Sequence, residues 1–69
     1  MMTPAQLRAA RALLGWTAVD LMAKSGISRH AIGKIEAGRT SPQRKTLARI
    51  VGALRSGGVE FTDGGVRLR

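Results

Sequence analysis

The sequence predicts a mainly α fold of four short helices closed by a C-terminal β-hairpin, and three observations carry that expectation. Thr3-Pro4-Ala5-Gln6 and Thr17-Ala18-Val19-Asp20 each set a capping residue three positions ahead of one that can reach back to it, the pattern that opens a helix. Leu47, Ile50, Val51 and Leu54 recur at i, i+3, i+4 and i+7, as on a helix with one buried face. The tail from Val59 to Arg69 then alternates apolar and polar residues around Asp63-Gly64, which is the strand period.

The elements follow in order. The first helix is expected over about residues 3–14: Thr3 caps it, Pro4 suits the first turn, and Leu7, Ala10 and Leu14 share a face until Gly15 stops it. Trp16 reads as a core anchor at the corner. A second helix over about 17–24 ends at Gly26, where the turn needs a positive φ that a Cβ would make costly. Ser28 caps a third helix over about 28–36, with Ile27 and Ile32 as a hydrophobic staple and Ile32 and Ile35 buried. Ala37 to Pro42 is a loop by composition. The fourth helix, about 43–56, carries Arg44, Lys45, Arg49 and Arg55 off its apolar stripe and ends at Gly57-Gly58.

Asp63-Gly64 suits a two-residue type I′ turn for a hairpin over about 59–69. That register pairs Val59 with Leu68, Glu60 with Arg67 and Phe61 with Val66, putting every apolar residue on one side. A lone hairpin is marginal in water. Val59, Phe61, Val66 and Leu68 are therefore expected either to cap the chain's own core or to form the interface of a two-fold dimer. The sequence leaves both open.

Sixty-nine residues fit one domain spanning 1–69, with a modest core and no room for a deep catalytic pocket. There is no cysteine, which removes disulfides, thiol chemistry and thiolate metal sites. His30 is the sole imidazole, so no metal site is expected. Without a Gly-rich phosphate loop or a pair of cooperating carboxylates, neither catalytic residues nor a cofactor is expected, and the chain reads as a non-enzyme. The first residues form an amphipathic pattern rather than a signal peptide. No apolar run approaches the roughly 18 residues of a membrane span. A cytoplasmic place, on the nucleoid, is the expectation.

Twelve Lys and Arg against four Asp and Glu give a formal charge of +8, which favours a polyanionic partner. Trp16 and Phe61, the only aromatics, fall in different elements. They make neither the apolar face of a membrane-surface helix nor a platform for stacking RNA bases. Double-stranded DNA is favoured over RNA and over a membrane surface. The second and third helices, hinged at Gly26, read as a helix-turn-helix whose free face bears Arg29, His30 and Lys34, a device suited to the major groove.

The run LRAARALLGWTAVDLMAKSGISRHAIGKIEAGRTSP resembles the phage-repressor and Cro-like helix-turn-helix family, also called the xenobiotic response element family, whose domains are lambda-repressor-like. The residues that carry the resemblance are Leu7, Arg11, Gly15-Trp16-Thr17, Leu21, Gly26-Ile27-Ser28, Ile32, Ile35-Glu36 and Gly38, and it spans roughly residues 5 to 54.

The resemblance implies that the helix from Ser28 is the recognition helix, with Arg29, His30 and Lys34 at base-reading positions. Arg and Lys can reach guanine O6 and N7; His30 either touches a base or phosphate or is a plain exposed histidine. It also implies phosphate contacts at Ser28, Arg39, Thr40, Arg44 and Lys45, which set affinity and register. Arg11 and Glu36 match a structural ion pair between the first and third helices, which makes Glu36 a poor catalytic candidate.

The chain departs from the family pattern at Ala18, at Met22 and in its tail. Ala18 stands where a phosphate-clamping Gln is frequent, which either lowers affinity or shifts that contact to Thr17 and the Arg39 loop. Met22 replaces a favoured Ala. Gly33 costs about 1 kcal/mol relative to Ala inside a helix; it either permits close approach to DNA or is simply tolerated, and tolerance is the favoured reading. A hairpin replaces the fifth helix of many relatives. The function implied is a sequence-specific transcriptional regulator, a repressor binding a palindromic operator as a homodimer. Open beside it are an antitoxin or transcription-machinery adaptor acting through a protein partner, and a non-specific nucleic-acid coat.

Overall fold

Thr3 and Thr17 open the first two helices by the same device. In the computed structural model, which describes residues 2–69, the helices are α1 (Pro4–Leu14), α2 (Ala18–Ser25), α3 (Arg29–Glu36) and α4 (Arg44–Ser56), followed by strands β1 (Val59–Phe61) and β2 (Val66–Leu68). Thr3 Oγ1 accepts from the Gln6 amide at 3.1 Å, and Gln6 Oε1 accepts from the Thr3 amide at 2.8 Å. Thr17 and Asp20 repeat the exchange at 3.1 and 2.8 Å. Each pair satisfies amide groups that a helix start leaves free. Ser28 Oγ accepts from the Ala31 amide at 3.1 Å at the start of α3.

The corner between α2 and α3 turns at Gly26, whose φ is 75° and whose amide donates to the Met22 carbonyl at 2.9 Å. This is the left-handed helix end that glycine takes without a Cβ penalty. Ser25 completes the corner. Its buried hydroxyl donates to the Leu21 carbonyl at 2.7 Å and accepts from the Ile27 amide at 3.2 Å. The end of α2 is thereby stitched to the entry of α3.

Five of the six elements give buried side chains to one core: Leu7 and Ala10 from α1, Leu21 from α2, Ile32 and Ile35 from α3, Ile50, Ala53 and Leu54 from α4, and Val59 from β1, with Val66 of β2 packed half-buried against it. The buried face of α4 differs from the expected stripe. Ala53 joins Ile50 and Leu54 inside, while Leu47 and Val51 are half-buried. Those two line a shallow groove beside Met2 and Phe61, because the hairpin covers that flank only in part. Trp16 is half-buried and packs on the edge of the core.

The two strands pair antiparallel in the expected register, Val59 with Leu68, Glu60 with Arg67 and Phe61 with Val66. The turn type is different. A type I′ turn needs positive φ at both central residues, and neither Asp63 nor Gly64 has it. Instead the Thr62 amide donates to the Gly65 carbonyl at 3.0 Å, and the Gly65 amide donates to Thr62 Oγ1 at 3.1 Å. The reason lies in α1. Gln6, buried, donates from Nε2 to the Thr62 carbonyl at 2.8 Å and to the Gly65 carbonyl at 3.1 Å. The Thr62 carbonyl, which would close a type I′ turn, is thus engaged by the same glutamine that caps α1. The hairpin lies against its own α1 and α4, with Val59 fully buried, Phe61 and Val66 half-buried, and Leu68 54% exposed.

Gly57 closes α4 for a different reason than helix termination. Its φ is −76°, open to any residue, but a Cβ there would sit 2.7 Å from Trp16 Cζ2 and 2.9 Å from Leu14 Cδ1. Glycine lets the indole lie directly on the end of the helix. Gly57→Ala is therefore expected to lower stability by about 1–3 kcal/mol through overpacking, read as a lower thermal midpoint. An unchanged midpoint would mean that the indole moves aside freely.

Candidate nucleic-acid interface

What points α3 outward is its C-terminal end, held by two arginines of α1. Arg11 grips the Glu36 carboxylate with both arms, Nε to Oε2 at 2.7 Å and Nη2 to Oε1 at 3.0 Å, while Nη1 donates to the Trp16 carbonyl at 3.0 Å. Arg8 Nη1 donates to the Glu36 backbone carbonyl, where the helix leaves an acceptor free. The Glu36 hydrogen bonds raise the Arg11 pKa above its ordinary value, against a smaller opposing effect of burial. The arginine therefore stays charged, and its contribution is lost only above the ordinary arginine range. Forked geometry of this kind fixes direction as well as energy.

With Ile32 and Ile35 turned inward and Glu36 clamped, the rest of α3 is left to solvent. Arg29, His30 and Lys34 are all exposed. With Arg39 they rim an open concavity of about 300 Å³ whose remaining lining is Gly33 and Ala37. A second concavity of about 380 Å³ adjoins it, sharing His30 and Lys34 and reaching Thr40, Gln43 and Thr46. The outward face of α3, the following loop and the first turn of α4 thus form one continuous surface. The loop is set by the end of α3, where the Gly38 amide donates to the Ile35 carbonyl at 3.0 Å and the Arg39 amide to the Lys34 carbonyl at 2.9 Å. These paired bonds define a compact helix end.

The other candidate positions lie beside this surface. Ser28 caps α3 and is exposed; its hydroxyl oxygen accepts from the Ala31 amide, leaving its proton free to donate. Thr17 stands in the same state at the start of α2. Arg44 and Lys45 are exposed in the first turn of α4 but line neither concavity. That turn has no acidic residue and no side-chain cap, so two cations sit at the positive end of a helix dipole. The arrangement is unfavourable in an isolated chain and is relieved by an anion. Gln43 and Thr46 are the residues the sequence reading passed over. Only the poor capping residue at Gln43, with its side chain left free, signalled them.

The charges are segregated. Among the described residues the ion pairs are Arg11 with Glu36 and Arg67 with Glu60, and Asp20 is engaged in its capping exchange. Arg29, Lys34, Arg39, Arg44 and Lys45 form no ion pair. A field of uncompensated cations on a rigid element, with free hydroxyl donors at two helix starts, is chemically suited to a phosphate backbone and to acceptor-rich base edges. No group of three or more His, Asp or Glu that could hold a metal is present among the described residues. No helix among them is long and apolar enough to cross a membrane.

The fold and this surface together define a helix-turn-helix DNA-binding domain. A family profile described as Helix-turn-helix matches residues 7–61, and the chain belongs to that family, the Cro- and phage-repressor-like, or xenobiotic response element, group of DNA-binding transcription regulators. No curated protein matches the chain closely enough to count as a relative.

Removing the α3 anchor tests its part in the fold. Glu36→Ala is expected to cost about 2 kcal/mol, from the loss of charged hydrogen bonds at a site only partly exposed, measured by urea unfolding. A loss under about 0.5 kcal/mol would place the pair among ordinary surface ion pairs.

Proposed function

We propose that the protein is a sequence-specific transcriptional repressor that binds a palindromic or pseudo-palindromic operator as a homodimer. The observation that carries this reading is the unpaired cationic face of α3. Arg29, His30 and Lys34 stand on a helix whose direction is fixed, with Arg39 beside them. A flexible basic tail would suit a non-specific coat; a rigid helix with donors at set spacing suits base edges. Arg29, His30 and Lys34 read bases, while Thr17, Ser28, Arg39, Thr40, Arg44 and Lys45 hold phosphates.

Residues 1–69 act as one domain. Two copies would set their α3 helices in successive major grooves, about 34 Å apart, and repress by excluding polymerase, with no catalytic step and no cofactor. The hairpin supports a dimer through what it leaves exposed: Leu68 and the half-buried Phe61 and Val66. Val59, fully buried, supports the interface from behind. The protein works in the cytoplasm on nucleoid DNA.

Pull-down of sheared genomic DNA at physiological salt, followed by sequencing, is expected to give a few sharp peaks sharing a two-fold symmetric motif. Smooth coverage would contradict sequence specificity. On the motif so found, Arg29→Ala is expected to cost about 1–3 kcal/mol and relax preference at one base pair, whereas Arg44→Ala should weaken all duplexes alike and lower the salt slope by about 1. Equal weakening on every sequence by Arg29→Ala would make Arg29 a phosphate contact.

A further inference from the structure

Gly33 occupies the middle of α3 without serving the fold. Its φ is not positive, and a Cβ built on it would meet nothing within 4 Å. Neither a turn nor a close approach inside the protein calls for glycine, which is among the poorest helix formers. With about 3.6 residues per turn, His30 and the capping residue Ala37 lie opposite Ile32 and Ile35, and Gly33 stands about 50° from that line toward Arg29. Arg29 and Lys34 fall on the two flanks. Between Arg29 and His30 the surface of the helix is therefore bare at Gly33, which with Ala37 forms the apolar floor of the concavity rimmed by Arg29, His30, Lys34 and Arg39.

We propose that Gly33 is a specificity-determining residue. The missing Cβ lets α3 seat deeply enough that a thymine methyl packs against the Gly33 backbone and the Ala37 side chain, while Arg29 and Lys34 reach to either side. A small apolar floor accepts that methyl by contact, as alanine does in the major groove, and offers nothing to the amino group of cytosine at the same place. The flanking cations supply the polar contacts, so the centre of the half-site is read by shape and its neighbours by hydrogen bonds. The inference rests on the DNA-binding reading above.

The test starts from duplexes selected out of a random-sequence pool by the unaltered protein. Affinity for the selected duplex and thermal midpoint are then measured for the unaltered protein, for Gly33→Ala and for Gly52→Ala. Gly52 is a second helix-internal glycine with open space around it, set in a groove beside Trp16 and Lys24 that shares no residue with the α3 surface. Both variants are expected to melt at higher temperature, since alanine favours the helix and meets no obstacle. Gly52→Ala should bind as the unaltered protein does, and Gly33→Ala roughly tenfold more weakly. Replacing thymine by uracil at one position of each half-site, which removes only the methyl, should weaken the unaltered protein several-fold.

Undiminished binding by Gly33→Ala would overturn the proposal, as would a lowered midpoint for that variant or the absence of any uracil-sensitive position. If the unaltered protein selects no sequence, the DNA-reading function falls and the proposal with it; if it selects one and Gly33→Ala binds it equally well, only the proposal falls.

Discussion

The fork from Arg11 to Glu36 is the contact on which the functional surface depends. An eight-residue helix such as α3 is too short to hold itself in water, and burial of Ile32 and Ile35 fixes which side faces inward without fixing its tilt. The fork fixes the tilt at one end, the Ser28 cap and the Ser25–Gly26 corner at the other. Arg11 also holds the Trp16 carbonyl, so one guanidinium ties the last turn of α1, the corner before α2 and the end of α3 together. Arg8 adds the Glu36 backbone carbonyl. Arg8 and Arg11 thus serve the architecture, and they aim the Arg29 and Lys34 side chains of α3.

The hairpin serves the same end from the opposite side. Gln6 uses its whole amide: the oxygen caps α1, and the nitrogen holds the carbonyls of Thr62 and Gly65. Burial of an amide is costly unless such capacity is filled, and here it is filled by two elements that lie far apart in sequence. Val59 then completes the core where β1 meets α1 and α4. A two-stranded sheet too small to stand alone becomes a lid on the helices.

Much of this was legible in the sequence because the signals were local. Capping residues three apart, glycines at left-handed corners and alternation in the tail each act over a few residues, and they set the four helices and the strand register. What was not legible depended on distant partners. Type I′ geometry at Asp63-Gly64 is the local preference, and it yields to a glutamine about sixty residues earlier in the chain. Gly57 read as a helix stop, yet it is the contact with Trp16 that requires it. The α4 stripe rotated toward Ala53 because the hairpin covers one flank incompletely, which periodicity alone does not encode. At the site, Arg29, His30 and Lys34 were visible as outward polar residues between inward isoleucines. Gln43 and Thr46 join them only because the loop after α3 folds back beside it.

A basic protein can bind DNA anywhere on its surface, so the central claim is that the α3 face and the adjoining loop make the contact. The most direct measurement is a two-dimensional amide NMR titration of the isotopically labelled protein with a duplex selected from its own genome. Shifts concentrated at residues 28–46 and at the start of α2, with α4 beyond its first turns unmoved, are the predicted result. Shifts centred on Trp16, Lys24 and Gly52, or spread evenly over every exposed arginine and lysine, would contradict it.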